Sequence, residues 1–180
     1  KSTIDYDVAR DEWKVAKQQV IPSGYDASRY VCKRLSAAAP DGAQVPMALV
    51  HRRELKLDGT HPMLLEGYGA YGRSVEPGFN ERLLSLLDRG FVYGVAHVRG
   101  TAMLGRDWYD QGRRQNKKNT FTDFIACAEE LIRQGYTSSH RLAITGGSAG
   151  GVLISAAINL RPDLFGAVVA MMPFTNVITT

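Results

Sequence analysis

The stretch Arg141-Leu-Ala-Ile-Thr-Gly-Gly-Ser-Ala-Gly-Gly-Val-Leu-Ile-Ser-Ala-Ala-Ile-Asn-Leu160 decides how the chain folds. Leu142 to Thr145 is an apolar, strand-like run, Gly146 to Gly151 sets Ser148 among small residues, and Val152 to Leu160 is helix-like. Strand, Gly-x-Ser-x-Gly and helix, in that order, make a turn that lifts a serine hydroxyl above the end of a sheet. Such a turn is strained, and only small neighbours fit beside it. With 18 glycines in 180 residues the pattern alone is weak, so the flanking strand and helix decide its meaning. A tight turn without chemistry is the alternative; glycine pairs on both sides favour a nucleophile at Ser148.

Outward from that turn, strands alternate with helices. Pro62 to Glu66, Phe91 to Val98 and Phe165 to Met171 are expected strands. Phe79 to Arg89 is an expected helix, with leucines at 83, 84, 86 and 87 and Gly90 at its C-terminal cap. Thr120-Phe-Thr-Asp123 fits a capping box opening a second helix that Gly135 stops. The alternation implies an α/β fold, a mostly parallel sheet with helices on both faces. Upstream, Ser28 to Ser36 and Val45 to His51 form a β ribbon around Pro40-Asp41-Gly42. Residues 1–20 differ again: two strand-like runs joined by Ala9-Arg-Asp-Glu12, then the linker-like Ile21-Pro-Ser-Gly24.

Bulk composition excludes several function classes. A formal charge of +4 is modest, and the one basic cluster, Arg113-Arg-Gln-Asn-Lys-Lys118, has no aromatic platform, so no nucleic-acid partner is expected and the cluster is taken as a solvated loop. No apolar run is long enough for a membrane span. Cys32 and Cys127 stand in apolar surroundings, neither in a Cys-x-x-Cys pair nor with ligand spacing, and both are expected to be small buried hydrophobes. No metal or organic cofactor is implied, and unpaired thiols fit a reducing, cytoplasmic location.

Gly67-Tyr-Gly-Ala-Tyr-Gly72 matches the dinucleotide fingerprint Gly-x-Gly-x-x-Gly after a strand. That chemistry needs a helix opening at the second glycine and an acidic residue ending the next strand. Ser74 to Gly78 intervenes instead, and the next strand ends His97-Val-Arg99, so nucleotide binding is not expected. In acyl transfer the segment makes better sense. An oxyanion needs two donors, the N–H after the nucleophile, here Ala149, and one from the loop after an earlier strand. Tyr68 offers a phenolic O–H there; packing of Tyr68 and Tyr71 beneath the loop is an equal alternative on spacing alone. Of His51, His61, His97 and His140, none follows Ser148, whereas the triad order of this fold is serine, acid, histidine. Asp163 is the one carboxylate after the serine and stands in a turn-like Arg-Pro-Asp.

Gly146–Gly151, Asn159–Phe165, Glu66–Gly72, His97–Gly100 and Lys117–Phe124 together resemble the prolyl oligopeptidase family of serine peptidases over nearly the whole chain. Ala149 and Pro173-Phe174 are more similar to its oligopeptidase B branch than to prolyl oligopeptidases proper. The resemblance implies an α/β-hydrolase fold preceded by a β-propeller. Residues 1–20 would then be the propeller's end and residues 21–180 the N-terminal part of the hydrolase domain. It also implies short peptides as substrates, cleavage after Lys or Arg, Ser148 as nucleophile and Tyr68 as oxyanion donor. The family's catalytic Asp and His lie beyond position 180, so a fragment inactive alone is expected, whose partners are its own propeller and C-terminal hydrolase segments. Thr101-Ala-Met103 and Asn176 depart from the family pattern, which bears on substrate preference more than reaction type. An esterase or acylaminoacyl-peptidase, a prolyl-specific peptidase, and a truncated, non-catalytic peptide-binding chain are the alternatives.

Overall fold

In the computed structural model, which describes residues 1–75 and 78–176, the strands β1 (Ser2–Asp7) and β2 (Glu12–Gln18) pair as an antiparallel hairpin. The other strands are β3 (Tyr30–Ala38), β4 (Gln44–Arg52), β5 (Met63–Gly67), β6 (Val92–Ala96), β7 (Leu142–Gly147) and β8 (Ala167–Met171). Among the described residues these six form one sheet in the order β3-β4-β6-β5-β7-β8. β6, β5, β7 and β8 run parallel, whereas β3 with β4 and β4 with β6 are antiparallel. The ribbon expected upstream is thus the antiparallel wing of a mixed, mostly parallel sheet. The parallel strands need crossovers, and helices supply them.

Helix α1 (Glu81–Asp88) starts two residues later than its apolar pattern suggests. The Asn80 side chain accepts from the Arg82 N–H at 3.1 Å and caps it there. Gly90, at φ 84°, ends the helix as expected. A short helix, α2 (Arg106–Asp110), precedes α3 (Lys117–Arg133), and α4 (Ala149–Leu160) follows the serine turn. A Cβ on Gly67 would meet Leu153 of α4 and Phe124 of α3, both at 2.7 Å, which places those helices on one sheet face. There Met63, Leu65, Leu131, Leu142, Ile144 and Ile154 form the core. The opposite face, carrying Glu66, Tyr93 and Val95, lies beside Phe79, Arg82 and Leu83 at the start of α1.

Two expectations fail. The capping box at Thr120 does not form: α3 begins at Lys117, and Thr120 and Asp123 lie fully buried within it. The Thr120 hydroxyl lies 2.8 Å from the Arg99 carbonyl and 3.1 Å from that of Gly112, and the Asp123 carboxylate binds Arg99. Tertiary partners have taken the groups a cap would use. Cys127 is buried, but Cys32 is exposed, because β3 is an edge strand with one face to solvent. Burial, with Asp123 and Glu130 adding to it, pushes the Cys127 thiol well up, so it stays an inert thiol at neutral pH.

Candidate active site

Ser148 occupies the single residue between β7 and α4, at φ 52° and ψ −119°. A positive φ is costly for a residue with a Cβ, and three backbone bonds hold it in place. The Ser148 N–H donates to the Met171 carbonyl at 2.9 Å, and its carbonyl accepts from Gly151 at 2.9 Å and Phe174 at 3.0 Å. Gly146, Gly150 and Gly151 are required by contact, whereas Gly147 has room for a Cβ. A Cβ on Gly146 would stand 2.6 Å from the Gly150 carbonyl oxygen, and one on Gly151 would stand 2.5 Å from Pro173. Strand, turn and helix therefore pack too closely for any larger residue at those three positions, and Ser148 is exposed at the carboxyl end of the parallel strands.

The second expected donor sits beside that turn. β5 neighbours β7 with Glu66 opposite Thr145, so Gly67 and Tyr68 stand level with Gly146 and Gly147. The Tyr68 Cα and Cδ2 atoms lie 3.3 and 3.2 Å from where a Cβ on Gly150 would be, against the first turn of α4. Tyr68 is half-buried, with the Arg73 guanidinium 5.3 Å above its ring, whereas Tyr71 is 79% exposed. The two tyrosines, equivalent in sequence, are thus separated in space, and Tyr68 is the one packed against the helix turn that follows Ser148. Its loop has left-handed backbone at Gly69, Tyr71 and Gly72. No helix opens there; the next is α1, so the cradle a dinucleotide needs is missing.

That loop rests on a second one, which sequence reasoning missed. The Gly72 N–H donates to the Gly100 carbonyl and Ala102 donates back to Gly72, both at 3.1 Å. Beneath them Arg99, 3% exposed, binds Asp123 through Nε and Nη2 and Asp41 through Nη1 and Nη2. Asp123 foremost, and Asp41, push the Arg99 guanidinium up against the opposing effect of burial. The basic cluster is no plain loop either. Arg114–Asn116 is a 3-10 turn, and half-buried Lys117 donates from Nζ to the Gly69 carbonyl.

The histidines fall where their sequence positions suggest. His61 and His140 precede β5 and β7 at the amino ends of the strands, and His140 is roughly 20 Å of strand from Ser148. His51, at the end of antiparallel β4, points the same way along the sheet. His97 follows β6 at the correct end, but it is buried, and neither ring nitrogen has a hydrogen-bond partner among the described residues. Asp163 is exposed in a turn, paired with Arg161 at 2.8 Å. No group of three or more His, Cys, Asp or Glu able to hold a metal gathers among the described residues. No helix among them is long and apolar enough to cross a membrane.

The buried histidines make the fold acid-sensitive. Burial, with the charge of Lys33 assisting, holds His51 below its ordinary range despite a contact to the Arg52 carbonyl; burial and Arg34 do the same for His97. Folding favours the neutral form of both rings, while the unfolded chain protonates them near its pKa of about 6.5. Their contribution is complete above about pH 6.5 and is lost as pH falls below it. The melting temperature of the complete protein should therefore drop on acidification to about pH 5, less steeply in a His51→Gln/His97→Gln variant. An equal slope in that variant would assign the loss to other groups.

The sequence model of the prolyl oligopeptidase family (Peptidase_S9) matches residues 77–180. Dipeptidyl aminopeptidase BI of Pseudoxanthomonas mexicana is 45% identical over 99% of this chain and 25% of its own length. Protease 2 of Moraxella lacunata is 41% identical over 100% of this chain and 26% of its own. The structure of oligopeptidase B from Trypanosoma brucei, closed and with covalently bound antipain, superposes with a TM-score of 0.93 at 47% identity, covering 99% of this chain and 25% of that one. The chain spans about a quarter of the length of the relatives it matches.

Proposed function

Since the chain belongs to the prolyl oligopeptidase family, we propose that the protein carrying it is a serine oligopeptidase that hydrolyses short peptides after Lys or Arg. One observation carries this reading: Ser148 stands at φ 52° on the strand-to-helix turn, with Tyr68 against the turn that follows. Ser148 attacks the scissile carbonyl and forms the acyl-enzyme. The Ala149 N–H, at the first position of α4, and the Tyr68 O–H receive the oxyanion. The general base and its carboxylate are assigned to the part of the relatives' length that these 180 residues, about a quarter of it, do not span. The β1–β2 hairpin, exposed along its whole length, is the end of a propeller preceding the hydrolase domain. The preference for Lys or Arg is supported by the likeness to oligopeptidase B.

A second specificity is favoured by the 45% identity to a protein named dipeptidyl aminopeptidase. A peptide blocked at its N-terminus with Arg before the reporter, set against a free dipeptidyl reporter, separates the two. A fluorophosphonate probe should label the complete protein at Ser148, located by peptide mapping; labelling elsewhere would sink the assignment. Tyr68→Phe removes one oxyanion donor and should lower kcat about a hundredfold with KM nearly unchanged. Full turnover in that variant would remove Tyr68 from the mechanism.

A further inference from the structure

Lys117 occupies an expensive position. It begins α3, whose N-terminal end already carries positive partial charge that a cation opposes. Its side chain is half-buried, and among the described residues no carboxylate lies within ion-pairing distance. Burial alone lowers the ammonium to about 8, so at neutral pH it is a charge withdrawn from water. What it gains is the Gly69 carbonyl oxygen at 2.5 Å, with the Thr120 hydroxyl at 3.4 Å and the Phe121 ring at 5.9 Å. A lysine has free rotamers to solvent, and this one forgoes them for a charge-assisted bond to one peptide group.

The gripped carbonyl is that of Gly69, the residue after Tyr68, in the peptide group shared with Ala70. Gly69 is left-handed, as are Tyr71 and Gly72, so the loop departs from the backbone its non-glycine residues prefer and needs outside restraints. The loop also sits tightly on α3, where a Cβ on Gly69 would stand 2.2 Å from Thr120 Cγ2. The restraints come from Gly100 and Ala102 on one side and Lys117 on the other. Among the described residues, Lys117 alone hydrogen-bonds through its side chain to the residue after Tyr68.

We propose that Lys117 is a positioning residue for the oxyanion site, fixing the Gly69 peptide so that the Tyr68 hydroxyl stands where the developing oxyanion needs it. The proposal rests on the role given to Tyr68 above. It places the first turn of α3 among the elements that set turnover.

A double-mutant cycle in the complete protein tests it. Lys117→Met and Lys117→Arg are made with Tyr68 intact and in the Tyr68→Phe background, and rates are referred to sites titrated with a fluorophosphonate. With Tyr68 intact, Lys117→Met should lower kcat about ten- to hundredfold while KM changes little, as expected for a displaced catalytic group. In the Tyr68→Phe background the same change should cost less than about twofold, the mark of two residues acting as one unit. Lys117→Arg, which keeps the cation, should recover most of kcat. If Lys117→Met yields no titratable sites, Lys117→Gln carries the cycle. Equal losses in both backgrounds, or a lower melting temperature with kcat per site unchanged, overturn the proposal and leave a structural lysine. Full turnover by Tyr68→Phe would instead overturn the role of Tyr68, and hydrolysis by Ser148→Ala the peptidase reading itself.

Discussion

Ser148→Ala is expected to lower kcat in the complete protein by about a millionfold, the scale on which loss of a serine nucleophile acts in other hydrolases. The substitution removes one oxygen and little else. Alanine at φ 52° bears the same Cβ strain as serine, and the three bonds that hold the turn are all backbone bonds. The side chain being exposed, its loss opens no cavity. Melting temperature and circular dichroism should therefore match the parent, and the KM of any residual activity should be close to it. What remains would come from the Ala149 N–H and Tyr68, which bind a developing oxyanion whatever attacks the carbonyl. A variant that keeps turnover within about tenfold would mean that another group attacks, since a missing nucleophile cannot be replaced at that rate by bound water.

The site was legible in sequence to the extent that its causes are local. The turn at Ser148 is announced by its own glycines and the strand and helix that flank it, although Met171, Pro173 and Phe174, more than 20 residues on, complete its hydrogen bonds and packing. The pairing of Tyr68 with that turn needed only that β5 and β7 be neighbours. What failed was decided at a distance. Thr120 and Asp123 have the spacing of a cap, yet their side chains are claimed by Arg99, more than 20 residues upstream in sequence. Cys32 sits in an apolar run, but only the strand order reveals that β3 is an edge. Lys117 belonged to a basic cluster expected to be a solvated loop; Arg114 and Lys118 are exposed, though in a 3-10 turn and in α3, and the contact with Gly69, 48 residues away, singles Lys117 out. Composition cannot tell a solvated lysine from a buried one.

Asp123→Asn should destabilise the protein by roughly 3 kcal/mol, because it leaves a buried guanidinium short of its main partner. Asp123 is fully buried, accepts the Arg99 N–H at 2.9 Å, and takes Nε and Nη2 of the same residue. Asparagine keeps the shape and one acceptor oxygen but deletes the charge and turns the second acceptor into an NH2 facing the Arg99 donors, so the loss combines an ionic and a hydrogen-bond part; Asp123→Ala, which keeps neither shape nor acceptor, should cost more. Asp41 cannot make up the difference. It is half exposed, so its attraction to Arg99 is partly screened, and Asp41→Asn should cost less than about 1 kcal/mol. The ranking Ala, then Asn, then the Asp41 variant, read from denaturant midpoints, is the check; equal midpoints for Asp123→Asn and the parent would mean that packing, not charge, holds Arg99. The consequence for activity follows from connectivity. Arg99 and Thr120 anchor the segment at Gly100 and Ala102, that segment bonds Gly72, and Gly72 closes the loop that begins at Tyr68. Asp123→Asn should therefore lower kcat as well as stability, whereas Lys117→Met should lower kcat with a smaller change in stability. The buried ion pair supports the whole wall of the site, and the lysine sets one peptide within it.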